Sequence, residues 1–112
     1  MNTRTSAAAR KALRQRRAVN GARKALDRRP EATLAVYATA AKVTGKAAAS
    51  LAGSLRTVAK RLGITGTAGN AFRKGLRRAC TRYGRAAVRA IAAAYKPRKP
   101  EFKAARAYLL SI

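Results

Sequence analysis

Residues 67–95 read TAGNAFRKGLRRACTRYGRAAVRAIAAAY. At helical period the larger apolar residues Phe72, Leu76, Cys80, Tyr83, Ile91 and Tyr95 recur every three or four positions. Lys74, Arg78, Arg82, Arg85 and Arg89 repeat with the same spacing. At about 100° per residue the two sets fall on opposite sides of one cylinder, so the spacing predicts a single helix from Thr67 to Tyr95. Its outer face would carry five bases and no acid. Like charges four residues apart repel, so an anionic partner is expected along that face.

The rest of the chain has the same charge character. Its 112 residues hold 27 Lys and Arg against three acids (Asp27, Glu31 and Glu101), a formal net charge of +24. A chain that repels itself so strongly is expected to gain its compact form from a polyanion. Duplex DNA carries one negative charge per roughly 1.7 Å of axis, so this excess matches about a dozen base pairs. Arginine, more abundant here than lysine, grips phosphate with a planar fork.

Catalysis has little to work with. There is no histidine, and the three acids are scattered, which leaves no candidate acid–base pair or metal ligand set. No enzyme activity, cofactor, metal or small-molecule substrate is expected. Cys80, the one cysteine, is read as a small core residue on the apolar stripe. No apolar run approaches the twenty residues of a membrane span. The Arg- and Ala-rich start has the composition of a transit peptide, but that composition continues along the whole chain.

Outward from the central stretch, Ser6 reads as the N-cap of a helix through about Arg29. Arg10, Arg14, Arg17, Lys24 and Arg28 share one face of it, and Leu13, Val19 and Leu26 are its larger apolar anchors. Gly21 offers a break near its middle. Residues 1–29 are accordingly expected to be a basic arm that orders on nucleic acid, and residues 30–112 a helical bundle domain. Pro30 and Glu31 suit the start of a second helix running to about Leu62, with Gly45 or Gly53 dividing it. Gly63 fits the left-handed position past its end. Lys96-Pro97-Arg98-Lys99-Pro100 reads as an extended basic linker, and residues 101–112 as a short final helix. The expected fold is all-α: a basic N-terminal helical arm followed by a small helical bundle.

Two motif readings compete. Leu55-x-x-Val58-Ala59-x-x-Leu62-Gly63-Ile64-Thr65 has the apolar spacing, small residue and turn glycine of a helix-turn-helix with its turn at Gly63. Gly69 supplies no contact where the second helix of such a unit needs one. The other reading is a resemblance. Gly63-Ile64-Thr65-Gly66, followed by Tyr83-Gly84-Arg85-Ala86-Ala87-Val88-Arg89-Ala90-Ile91, resembles the carboxy-terminal half of the major coat proteins of rod-shaped and filamentous archaeal viruses. It covers residues 50–95 at motif level and the whole chain in layout. The resemblance implies paired coat subunits, identical or paralogous, that wrap double-stranded DNA and hold it in the A form within a helical virion.

The phosphate contacts expected on these grounds are Arg10, Arg14, Arg17, Lys24 and Arg28 in the arm, and Lys74, Arg78, Arg82, Arg85 and Arg89 in the central stretch. Asn2, Gln15, Asn20 and Asn70 are scattered, so no cluster for reading base edges is apparent. The expected function is non-sequence-specific packaging of double-stranded DNA, located in a virion. The alternatives are a helix-turn-helix regulator or nucleoid protein of a cell, and an RNA-binding ribosomal protein.

Overall fold

The computed structural model describes residues 3–73 and 76–112, with side chains described for 7–69, 76 and 79–112. The first element, α1 (Thr3–Arg28), is a helix of 26 residues. Good helix formers dominate it, and it runs through Gly21 without the expected break. Leu26 is buried, with Ala22, Arg23 and Ala25 half-buried beside it, whereas Ala7–Ala18 is exposed throughout. The arm is therefore anchored to the core by its last two turns only.

The helix expected from Glu31 to Leu62 is replaced by three elements. Glu31–Thr33 is a strand, β1. Thr33 then caps α2 (Leu34–Ala40), its hydroxyl accepting from the Val36 amide at 3.4 Å. A tight turn follows, with Lys42 at φ 69° and Gly45 at φ 66°. Val43 is buried inside that turn and its amide bonds the Ala38 carbonyl at 3.1 Å. The division thus falls at Gly45, and Gly53 lies within the next helix. That helix, α3 (Lys46–Leu62), buries Ala48, Leu51, Ala52, Leu55, Val58 and Ala59. Gly63 ends it in the left-handed conformation (φ 71°, ψ 21°), and the Ile64 amide reaches back to the Ala59 carbonyl at 2.9 Å.

Residues 67–84 overturn the all-α expectation. Thr67–Arg73 and Leu76–Gly84 are antiparallel strands, β2 and β3, with Thr67 opposite Arg82 and Arg73 opposite Leu76. β3 also pairs with β1, Ala32 opposite Tyr83, giving a three-stranded antiparallel sheet in the order β1-β3-β2. The fold is mixed α/β, mostly helical with this one sheet. Leu76 is 59% exposed and Cys80 half-exposed, so neither is the core residue that the helical stripe made it.

The predicted long helix survives only at its end, as α4 (Arg85–Ala94), which buries Val88, Ile91 and Ala92. The segment quoted for the coat-protein resemblance is thus split: residues 83–84 close β3 and residues 85–91 belong to α4. The basic linker follows, then α5 (Pro100–Ser111), which buries Phe102, Ala105 and Leu109. These side chains join those of α2, α3, β1 and β3 in one core.

Candidate nucleic-acid interface

The pair α2–α3, joined by five residues with Val43 buried in the turn, has the connectivity of a helix-turn-helix. It lies one helix earlier than the motif read around Gly63. Leu55, Val58 and Leu62 belong to its second helix, and Gly63 ends that helix instead of joining two.

The inward face of α3 fixes the composition of its outward one. With residues 48, 51, 52, 55, 58 and 59 buried, Lys46, Ser50, Gly53, Thr57 and Lys60 form the opposite stripe. Arg56 and Ala49 lie on one flank of it, and Arg61 and Ser54 on the other. Between Lys46 and Lys60 nothing on the midline is larger than threonine. A Cβ added at Gly53 would meet nothing within 4 Å. Such a face allows close approach, carries cations at both ends and holds no acid. The first turn of α3 points the same way: Gly45 provides no side-chain cap and no acid follows it, so its free amides favour an anion.

The β2–β3 ribbon follows α3 directly. Arg73, Arg77 and Arg78 sit at its far end by register, opposite Leu76, Phe72 and Ala71 respectively. Nearer its base, half-buried Arg82 lies across the backbone at Gly69, where an added Cβ would stand 3.3 Å from Nε. At Gly66 an added Cβ would meet the Arg82 carbonyl oxygen at 2.6 Å. The two glycines let the strands close beneath that side chain.

The ten residues expected to hold phosphate divide into several groups. Arg10, Arg14, Arg17, Lys24 and Arg28 are exposed along α1, on the side away from Leu26. Lys74 lies outside the described residues, and Arg78 is described only by its place in β3. Arg82 lies on the ribbon. Arg85 and Arg89 are exposed, and each bonds a backbone carbonyl of a distant segment. The Arg85 guanidinium donates to the Leu26 carbonyl at 2.8 Å and lies 3.7 Å from the Asp27 carboxylate. Arg89 donates to the Ile112 carbonyl at 2.6 Å. Two bases off that roster also bond backbone or aromatic groups: Arg23 donates to the Ala40 carbonyl at 3.0 Å and lies 4.9 Å from the Tyr108 ring centre, and Arg106 closes the end of α4 at Ala92 and Ala93.

The sequence reading missed the outward stripe of α3. Its signal was present in the 4-3-4 spacing of Leu51, Leu55, Val58 and Leu62, whose complement is that stripe. No family model matches the chain, and neither does any curated protein or solved structure compared with it.

Proposed function

We propose that the chain binds double-stranded DNA, laying α3 in the major groove with the β2–β3 ribbon and the exposed bases of α1 against flanking phosphates. The observation that carries this is the outward face of α3: small and polar along its midline, cationic at both ends and free of acids. A major groove about 12 Å wide admits a helix, and cations on adjoining elements suit the two phosphate walls. Charge supplies most of the affinity.

The test is a binding titration of the full chain on duplex DNA in moderate salt, with an acid placed on that face. Thr57→Glu is expected to weaken binding at least tenfold. Ala104→Glu, an exposed position on α5 with the same change in charge, should weaken it only slightly. Equal effects of the two variants would mean that α3 does not face the DNA.

Packaging is the second reading, and one observation favours it. Residues 7–18 of α1 are exposed on all sides and carry Arg10, Lys11, Arg14, Arg16 and Arg17, more cation than docking one helix requires. A nuclease footprint on a long duplex separates the readings. Continuous protection supports coating, with subunits side by side as in a virion or nucleoid filament, and a short discrete site supports a regulator.

A further inference from the structure

We propose that the segment Lys96–Lys99 is a minor-groove arm, a second DNA site that favours A·T-rich sequence beside the base pairs covered by α3. The inference rests on the reading of α3 as the helix that enters the major groove.

The segment is extended at both ends. Tyr95 has φ −79° and ψ 128°, and Lys99 has φ −73° and ψ 136°. Pro97 and Pro100 each hold the preceding residue out of the helical region. The stretch is thereby a thin, stiff strand with exposed Lys96, Arg98 and Lys99. Both ends are fastened to the body. Tyr95 shares one groove with Ser54 of α3, and α5 is anchored by buried Phe102 and Ala105. Arg106 joins α5 to the end of α4, donating to the Ala92 carbonyl at 2.8 Å.

Position gives the segment its role. Ser54, Thr57, Arg61, Tyr95 and Lys96 line one open groove, so the segment begins on the flank of the outward face of α3. A duplex that receives α3 in its major groove turns a neighbouring minor groove toward that flank. At about 6 Å wide, a minor groove excludes a helix but accepts a single extended strand. Where A·T pairs narrow it, its negative potential rises and draws arginine and lysine inward. Adenine N3 and thymine O2 present only acceptors there, whereas guanine adds an amino donor that opposes a guanidinium. Arg98, between the two prolines, is the side chain best placed to enter, with Lys96 and Lys99 left for the phosphates.

The experiment uses the full chain and three duplexes of equal length, differing only in a central tract of A·T, G·C or inosine·cytosine pairs. Inosine lacks the minor-groove amino group of guanine and keeps its major-groove edge. The A·T and inosine duplexes are expected to bind alike and roughly tenfold tighter than G·C, on the scale of one well-read position. Arg98→Ala should remove that difference, and Arg98→Lys should keep part of it. Thr57→Glu should weaken all three duplexes and preserve their order. Equal binding of all three by the unaltered chain, inosine behaving like G·C, or an undiminished A·T preference in Arg98→Ala would each overturn the minor-groove arm while leaving α3 as the docking helix. Failure to bind any duplex would instead defeat the DNA-binding reading, and the arm with it.

Discussion

The Tyr37 hydroxyl donates a hydrogen bond of 2.8 Å to the backbone carbonyl of Tyr83, and both residues are buried. The bond joins α2 to the end of β3, 46 residues apart. It ties the sheet to α2 at the point where β3 pairs with β1. The relative placement of α3 and the ribbon therefore depends in part on a contact that α3 itself does not make.

Removing that hydroxyl tests the link. Tyr37→Phe preserves the ring and is expected to cost about 1–2 kcal/mol of stability, read by denaturant or thermal unfolding, because a buried carbonyl loses its donor. It also alters the alkaline limb. Burial raises the pKa of Tyr37 above its ordinary 10.0, nearby Arg85 pulls it down and Glu31 pushes it up. A folded value above the unfolded one means that the protonated phenol supports the fold. That support is complete below pH 10 and is lost as pH climbs through the folded value. Tyr37→Phe should flatten this loss in part, since Tyr95 is also raised by burial and remains. An unchanged alkaline profile would mean that the Tyr37 phenol does not favour the folded state.

Arg85 separates fold from function among the cations. Its guanidinium spans from the N-terminus of α4 to the carbonyl of Leu26 and the carboxylate of Asp27. Arg85→Ala is expected to destabilise the chain by about 1 kcal/mol through the lost bond to the end of α1, and to leave the affinity of the folded chain for DNA nearly unchanged. Affinity falling as far as it does for a base on α1, with no loss of stability, would return Arg85 to the phosphate-binding set.

The bases of α1 predict the opposite pattern. Arg14 and Arg17 are exposed and stand on the stretch that does not touch the core. The double change to alanine should leave the unfolding midpoint where it is, and the slope of log K against log salt should fall by about two units. An unchanged slope would mean that the arm lies off the DNA.

Spacing explains which parts of this architecture were legible. An interval of four residues satisfies both the 3.6-residue helical period and the two-residue strand period, so Lys74, Arg78 and Arg82 read equally well as either. Phe72, Leu76 and Cys80 share the same ambiguity. What separated the two was punctuation. Gly69, Gly75 and Gly84 each cost a helix about 1 kcal/mol, and Thr67, Phe72, Thr81 and Tyr83 favour strands. A two-residue step, Lys74-Gly75, divides the two runs as a hairpin turn would. Elements without that degeneracy were legible: the left-handed end at Gly63, the inward spacing of α3, the extended linker and the apolar side of α5. β1 was hidden because three residues are too few for a period, and its pairing with β3 is a long-range choice. The contacts of Arg85 with Leu26 and Asp27 are not legible either, because those residues are 59 and 58 positions away in sequence and no local pattern announces them.

Gly53 gives the sharpest test of the surface on which the functional reading stands. It lies inside α3 with open space beyond it, so the fold gains nothing from its lack of a side chain. Gly53→Ala should stabilise the protein by about 0.5–1 kcal/mol, because a helix interior prefers alanine. On the reading of α3 as the docking helix, the bare backbone at Gly53 admits close approach from outside. Gly53→Gln adds bulk without charge and should likewise raise the unfolding midpoint, while DNA binding falls by roughly tenfold, a well-packed contact being worth about 1.4 kcal/mol. Gains in both stability and affinity would show that the face of α3 never meets the groove, and the search for the docking surface would move to the ribbon and to α1.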